Sequence, residues 1–297
     1  MTCRLARELE TNGIAVVADL LPAPLLAGMK GAFARRLRRQ RFNDFDGYEK
    51  TEPYRHMVQD VLTLHQGFVD LALDPAVKEA LRDYIGEPFA LVEAKGWLSL
   101  PTRRDFHGWH GDAWYDQGMV TTIPREVKVG LYLTDVRSGA FCYVKSSHAR
   151  QAPRPLPKEE AADLPADQIL EVTGPAGTVI LFDTTGIHRQ AAPILEPRHA
   201  VFLNYHDPRV PLQAEDVAYY RYHPLLLNAA FLGGLSEEDR RILGFGDKTH
   251  YQEGFERAAA HGGFRWALSR TFDLKLRLAE LGGRVAGRLR RLVGRRG

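Results

Sequence analysis

The residues best suited to chemistry lie in Trp109-His110-Gly111-Asp112, taken together with a distant Ile187-His188-Arg189. His110 and Asp112 are separated by one residue, and on extended backbone residues i and i+2 project from the same face. The pair can therefore grip one cation from one side while His188 supplies a third donor. Two imidazoles and a carboxylate on one face of an octahedron leave the opposite positions open, the arrangement of non-haem Fe(II) oxygenases. The same donor set can hold zinc. On the residues alone, a metal-dependent hydrolase or isomerase is thus the competing reading.

Such a site needs a rigid frame, and the chain can build one. Its 297 residues are 44% hydrophobic and 26% charged, the balance of a globular domain with a substantial core. Gly13 to Val17 reads as a short buried strand after a polar helix, and Leu21 to Arg39 as an amphipathic helix ending in a solvated basic run. Asp74-Pro75 opens another helix, with Val77, Leu81 and Ile85 at helical spacing up to Gly86.

From Pro88 onward the pattern changes to strands. Phe89 to Leu100, Val127 to Leu133, Ala140 to Val144, Ile169 to Val172, Thr178 to Phe182 and Ala200 to Tyr205 are short β-rich segments between Gly, Pro, Asp and Ser turn signals. Closely spaced strands predict a sandwich or jelly roll rather than a βαβ fold, and no GxGxxG or Walker loop is present. The expected class is mainly β with flanking helices (α+β). Gln151 to Asp167, rich in Pro and Ala, reads as a long insertion, either a lid over the site or a surface loop. Lys95 and Trp97 alternate on the strand before the metal motif, where they can face a cavity.

Several motifs in order carry a resemblance. They are Trp109-His110-Gly111-Asp112, Val129 to Asp135, Gly139-Ala140-Phe141 leading to Ser146-Ser147-His148, Gly177 to Asp183 with His188, and Arg198 leading to Asn204-Tyr205. Over roughly residues 10–207 the sequence resembles the phytanoyl-CoA dioxygenase-like family of Fe(II)/2-oxoglutarate oxygenases. The resemblance implies a double-stranded β-helix, that is, a cupin-like jelly roll, with Fe(II) on His110, Asp112 and His188. It implies that Arg198 anchors the distal carboxylate of 2-oxoglutarate and that Gln190 is a further co-substrate contact; Lys95 is added as a co-substrate candidate from its position on the strand before the motif. Family members often carry Ser or Thr where this chain has Gln190, whose amide can also donate a hydrogen bond. In family chemistry O2 is the second co-substrate, and succinate and CO2 are released. Related halogenases lack the carboxylate that Asp112 provides, so hydroxylation of an unactivated C–H is the implied outcome.

The C-terminal stretch carries a different signal. Residues 263–297 hold nine Arg and one Lys against Asp273 and Glu280, a net of +8 within a chain total of +3, which leaves about −5 for residues 1–262. Leu274, Leu278, Leu281, Val285, Leu289 and Leu292 fall on one helical stripe, with Arg277, Arg284, Arg288, Arg291 and Arg295 beside it. We therefore expect an oxygenase domain over 1–262 and a basic amphipathic helix over 263–297. Such a helix suits an anionic membrane interface or a contact in a homo-oligomer. The acidic body argues against nucleic acid. Substrates consistent with this layout are small molecules or lipid-linked molecules, including a lipopolysaccharide sugar. A non-catalytic membrane adaptor is disfavoured by the intact triad. Cys3 and Cys142 make no disulfide framework, Met1 to Glu10 does not read as a signal peptide, and no apolar run is long enough to span a bilayer. The expected location is cytoplasmic, with peripheral membrane contact through the tail.

Overall fold

The computed structural model describes residues 3–39, 54–59, 61–106, 108–113, 115–116, 118–149, 164–211 and 235–243. The sheet-forming residues make two antiparallel sheets. Helix α1 (Arg4–Asn12) is closed by Gly13 at φ 74°, where the backbone turns left-handed, and leads into β1 (Ile14–Val17). After α2 (Ala23–Arg39) come β2 (Arg55–Gln59), α3 (Gln66–Ala72) and α4 (Pro75–Tyr84). Helix α4 starts as its sequence predicts. Asp74 Oδ1 accepts from the Ala76 and Val77 amides at 2.9 and 3.2 Å, and Pro75 occupies the first turn.

Seven further strands and a short helix complete the described fold: β3 (Ala90–Ser99), β4 (Val127–Tyr132), β5 (Val136–Val144), β6 (Ile169–Gly174), β7 (Val179–Asp183), β8 (His188–Gln190), β9 (Arg198–His206) and α5 (Glu237–Ile242). The larger sheet has the order β1-β7-β4-β9-β3-β2 and the smaller β6-β5-β8. Apart from the β2–β3 and β5–β6 pairs, strands that lie side by side are distant in sequence, as expected for a jelly roll.

Burial on both faces of the larger sheet follows from its alternation. Val127, Val129 and Leu131 of β4, Val179 and Leu181 of β7, and Val201, Leu203 and Tyr205 of β9 join the helices in one core. The alternate residues Tyr132, Ile180, Phe182 and Ala200 meet Phe141, Tyr143 and Val172 of the smaller sheet in a second core between the sheets. Close approach requires glycine at Gly96, where a Cβ would lie 2.3 Å from the Phe33 ring of α2.

Most expected elements are present with shifted ends, β5 beginning at Val136 rather than Ala140 and α2 at Ala23 rather than Leu21. Strands β2 and β8 and helix α3 are additions. The metal motif is not a regular strand: His110 makes a single antiparallel bridge to His188, and Asp112 follows in irregular backbone. Most of the Gln151–Asp167 insertion and all of residues 263–297 lie outside the described residues.

Candidate metal and co-substrate site

The bridge between His110 and His188 brings the distant motifs together. The two residues exchange both backbone hydrogen bonds, His110 N to His188 O at 3.0 Å and His188 N to His110 O at 2.7 Å. Their rings then lie 4.4 Å apart between centroids. The Asp112 amide donates to Thr184 O at 2.8 Å, which fixes the carboxylate beside the ring pair. One donor atom from each of His110, Asp112 and His188 lies within 4.8 Å of the others. The His110 and His188 Nε2 atoms are each 3.8 Å from an Asp112 oxygen, His110 from Oδ1 and His188 from Oδ2.

Ring orientation favours a cation. Nδ1 of His110 is 3.0 Å from Gly108 O, and Nδ1 of His188 is 2.8 Å from Gly186 O. A carbonyl can only accept, so each Nδ1 carries the proton and each Nε2 lone pair faces Asp112. Metal-bound histidines typically donate their other ring N–H to an oxygen in this way. Burial, with His110 close by, lowers the His188 pKa to about 3 against the opposing pull of Asp112, which keeps it a neutral donor. Burial alone would raise the Asp112 carboxyl, but the Lys128 ammonium, with His188 and His110 behind it, holds it well below the usual carboxylate range. Phe141 and Phe182, with centroids 5.7 and 5.2 Å from the His188 ring, form an apolar floor beneath it.

Beyond the triad, Gln190 lies two residues after His188 on β8. Both side chains therefore face the same side, about 7 Å apart along the strand. Gln190 Oε1 accepts from Ser99 Oγ at 3.3 Å, and its Nε2 donates to Gly139 O at 3.4 Å. Gly139 O also accepts from Arg198 Nη1. Arg198 begins β9 directly opposite Ser99, is only 4% exposed, and lies 5.6 Å from the Tyr132 ring centroid. Burial lowers its pKa. Among the described residues no carboxylate pairs with it, and its Nε has no hydrogen-bond partner. A buried guanidinium without an anion is costly, which suits this pocket to an anionic ligand.

Lys95 lies elsewhere. Its Nζ is 2.6 Å from Glu93 Oε1, and it stands four residues along β3 from Ser99, toward Asp112 and Lys128. It thus belongs to the metal end of the site rather than the Arg198 end. Trp97, between them on the same face, stacks under Arg55 at 3.9 Å. Arg189 points away from the triad, 4.4 Å from the Trp109 ring centroid and 3.4 Å from Asp105, and braces the motif loop.

Sequence reasoning missed Lys128, Tyr132, Ser99 and Glu126. Lys128 had a signal: it is the lone charge in Val-Lys-Val-Gly-Leu-Tyr, a run in which every residue is buried, and a fully buried lysine demands a partner.

A family model described as phytanoyl-CoA dioxygenase (PhyH) matches residues 9–192, more than half of the chain. The chain belongs to this family. No curated protein matches it in sequence. The phytanoyl-CoA dioxygenase fold is shared with solved structures of low identity. HygX from Streptomyces hygroscopicus, with nickel, 2-oxoglutarate and hygromycin B bound, is 21% identical over 71% of this chain and 90% of its own, at TM-score 0.54. EctD from S. alaskensis, with 2-oxoglutarate and 5-hydroxyectoine, is 22% identical over 72% and 78%, at TM-score 0.58. SnoN, a non-haem α-ketoglutarate-dependent epimerase from nogalamycin biosynthesis, is 19% identical over 73% and 87%, at TM-score 0.55. The jelly-roll frame and the Fe(II)/2-oxoglutarate class of enzyme go with this family.

Proposed function

We propose that the protein is an Fe(II)- and 2-oxoglutarate-dependent dioxygenase that hydroxylates an unactivated C–H bond. The observation that carries this reading is Arg198, a buried cation with no anionic partner among the described residues, on the same inner surface as a His-Asp-His donor set. In this reading His110 Nε2, His188 Nε2 and one Asp112 oxygen hold Fe(II). Arg198 holds the distal carboxylate of 2-oxoglutarate. Gln190, between His188 and Arg198, lies along the co-substrate and offers its amide. Lys95, at the metal end, adds positive charge beside a dianionic co-substrate. When bound, the iron supplies O2 activation coupled to the decarboxylation of 2-oxoglutarate to succinate and CO2.

The chain's own contribution is placement. Gly108 O and Gly186 O orient the two imidazoles. The Phe141 and Phe182 rings keep water from the inner side of His188. Arg198 fixes the length of co-substrate that fits, since a guanidinium binds a planar carboxylate through two parallel N–H donors. A metal hydrolase has no use for this lone buried guanidinium. Epimerisation uses the same hydrogen abstraction, and SnoN's likeness keeps it as a second outcome of one chemistry.

The substrate is a small or lipid-linked molecule. A lipopolysaccharide sugar is the candidate suggested by the basic amphipathic sequence 263–297, which also suits peripheral binding to an anionic membrane. No described helix is long and apolar enough to cross a membrane. The test of the reaction is succinate release from 2-oxoglutarate with Fe(II) and O2. Asp112→Ala and His188→Ala are each expected to lose it entirely. Turnover retained in Asp112→Ala would remove that residue from the ligand set.

A further inference from the structure

Lys128 projects from β4 into the space between the sheets and is 7% exposed. In register it stands between Phe182 of β7 and Asn204 of β9. Its Nζ lies 2.5 Å from Asp112 Oδ2. The Asp112 carboxylate straddles the two imidazoles, Oδ1 towards His110 and Oδ2 towards His188, each at 3.8 Å. Both oxygens therefore face the place where an ion would sit. A carboxylate so placed can chelate through both oxygens and take a fourth coordination position, or bind through one and leave three open.

We propose that Lys128 is a positioning residue for the metal centre: by holding Asp112 Oδ2, it leaves only Oδ1 to bind the metal and preserves the open positions. This inference rests on the reading of His110, Asp112 and His188 as metal ligands. It has a second consequence in charge. Fe(II) on one carboxylate and two neutral imidazoles carries a net single positive charge, and the Lys128 ammonium adds another beside it. The site then binds its cation less tightly but matches a dianionic co-substrate better. Lysine suits this role, because a compact ammonium on a flexible stem can cap one oxygen without covering the other.

Mn(II) binding to the full-length protein, with bound water counted by proton relaxation, tests the assignment. Wild type is expected to hold Mn(II) with about three exchangeable waters, the number left by a facial triad. Lys128→Met is expected to lose one of these waters and to bind Mn(II) about tenfold more tightly, since a nearby repelling charge is gone. Lys128→Arg is expected to keep the wild-type count. A folded Lys128→Met with the wild-type water count and equal or looser Mn(II) binding would overturn the proposal. Should Lys128→Met fail to fold, Lys128→Gln carries the test, because it keeps an N–H donor for Oδ2 without the charge. It is expected to show the wild-type count with tighter Mn(II), and unchanged affinity would overturn the charge effect. Wild-type protein that does not bind Mn(II) at all would instead remove the metal site itself, a pattern distinct from a wild type that binds and a variant that matches it.

Discussion

At the scale of single residues, the site is a set of groups that burial has made dependent on one another. Arg198→Lys replaces a planar fork with a point charge, and the apparent KM for 2-oxoglutarate should rise by roughly 10- to 100-fold, about the worth of one charge-assisted hydrogen bond. Metal binding should be unchanged, and titration of both ligands separates the two effects. Glu126 gives a prediction in pH. Burial, with the nearby Asp183 charge, raises its pKa from 4.5 to about 8, against the hydrogen bond from Thr184 Oγ1 at 3.2 Å. Its folded pKa lies above the unfolded one, so the unfolded chain releases this proton first and stability falls as pH rises from about 4.5 to 8. Glu126→Gln cannot titrate, so its melting temperature should gain on wild type steadily from pH 5 to pH 8. A constant difference between the two would show that Glu126 ionises normally in the fold. The meeting of His110, Asp112 and His188 was legible in the sequence from donor types and spacing, and Arg198 was singled out only through the family resemblance. Lys128 offered only the signal of a lone charge in an apolar run, and Glu126 none, since the role of a charge is set by its burial and its partner.

At the scale of elements, the site depends on short pieces that periodicity cannot reveal. β8 has three residues, too few to show alternation, yet it places His188 and Gln190 on one inner surface and pairs Tyr143 with His188. The strand expected around His110 and Asp112 proves to be a single bridge, because His188 supplies its partner and no second strand extends it. Longer strands were readable. In β4 and β9 apolar residues on both faces match a sheet packed on helices and on a second sheet. Gly186 shows how tightly these elements are set. A Cβ there would lie 1.9 Å from Tyr143 Oη, whose hydroxyl donates to Asp183 O at 3.0 Å, while Gly186 O orients His188. Gly186→Ala should destabilise the fold by about 1–3 kcal/mol through overpacking and weaken metal binding by moving the His188 ring. Urea unfolding and metal titration read the two effects, and unchanged metal affinity would contradict the role given to the Gly186 carbonyl.

At the scale of the whole molecule, charge divides what the fold does not. The sequence places +8 in residues 263–297 and about −5 before them, and the family match ends at residue 192. A chain ending at Gly262 should keep succinate formation but lose flotation with anionic liposomes, while the full chain floats and is released by salt. Equal behaviour of the two chains would remove the membrane role of the tail. The jelly roll could be anticipated from strand spacing and resemblance, whereas pairing order could not, since β1 joins β7 across most of the chain. The proposed chemistry depends on one site holding metal and co-substrate together. Its most direct test is addition of 2-oxoglutarate to the anaerobic Fe(II)-loaded protein. A visible metal-to-ligand charge-transfer band should appear in wild type and be absent from Asp112→Ala; a wild-type protein verified to hold iron but showing no band would contradict the assignment.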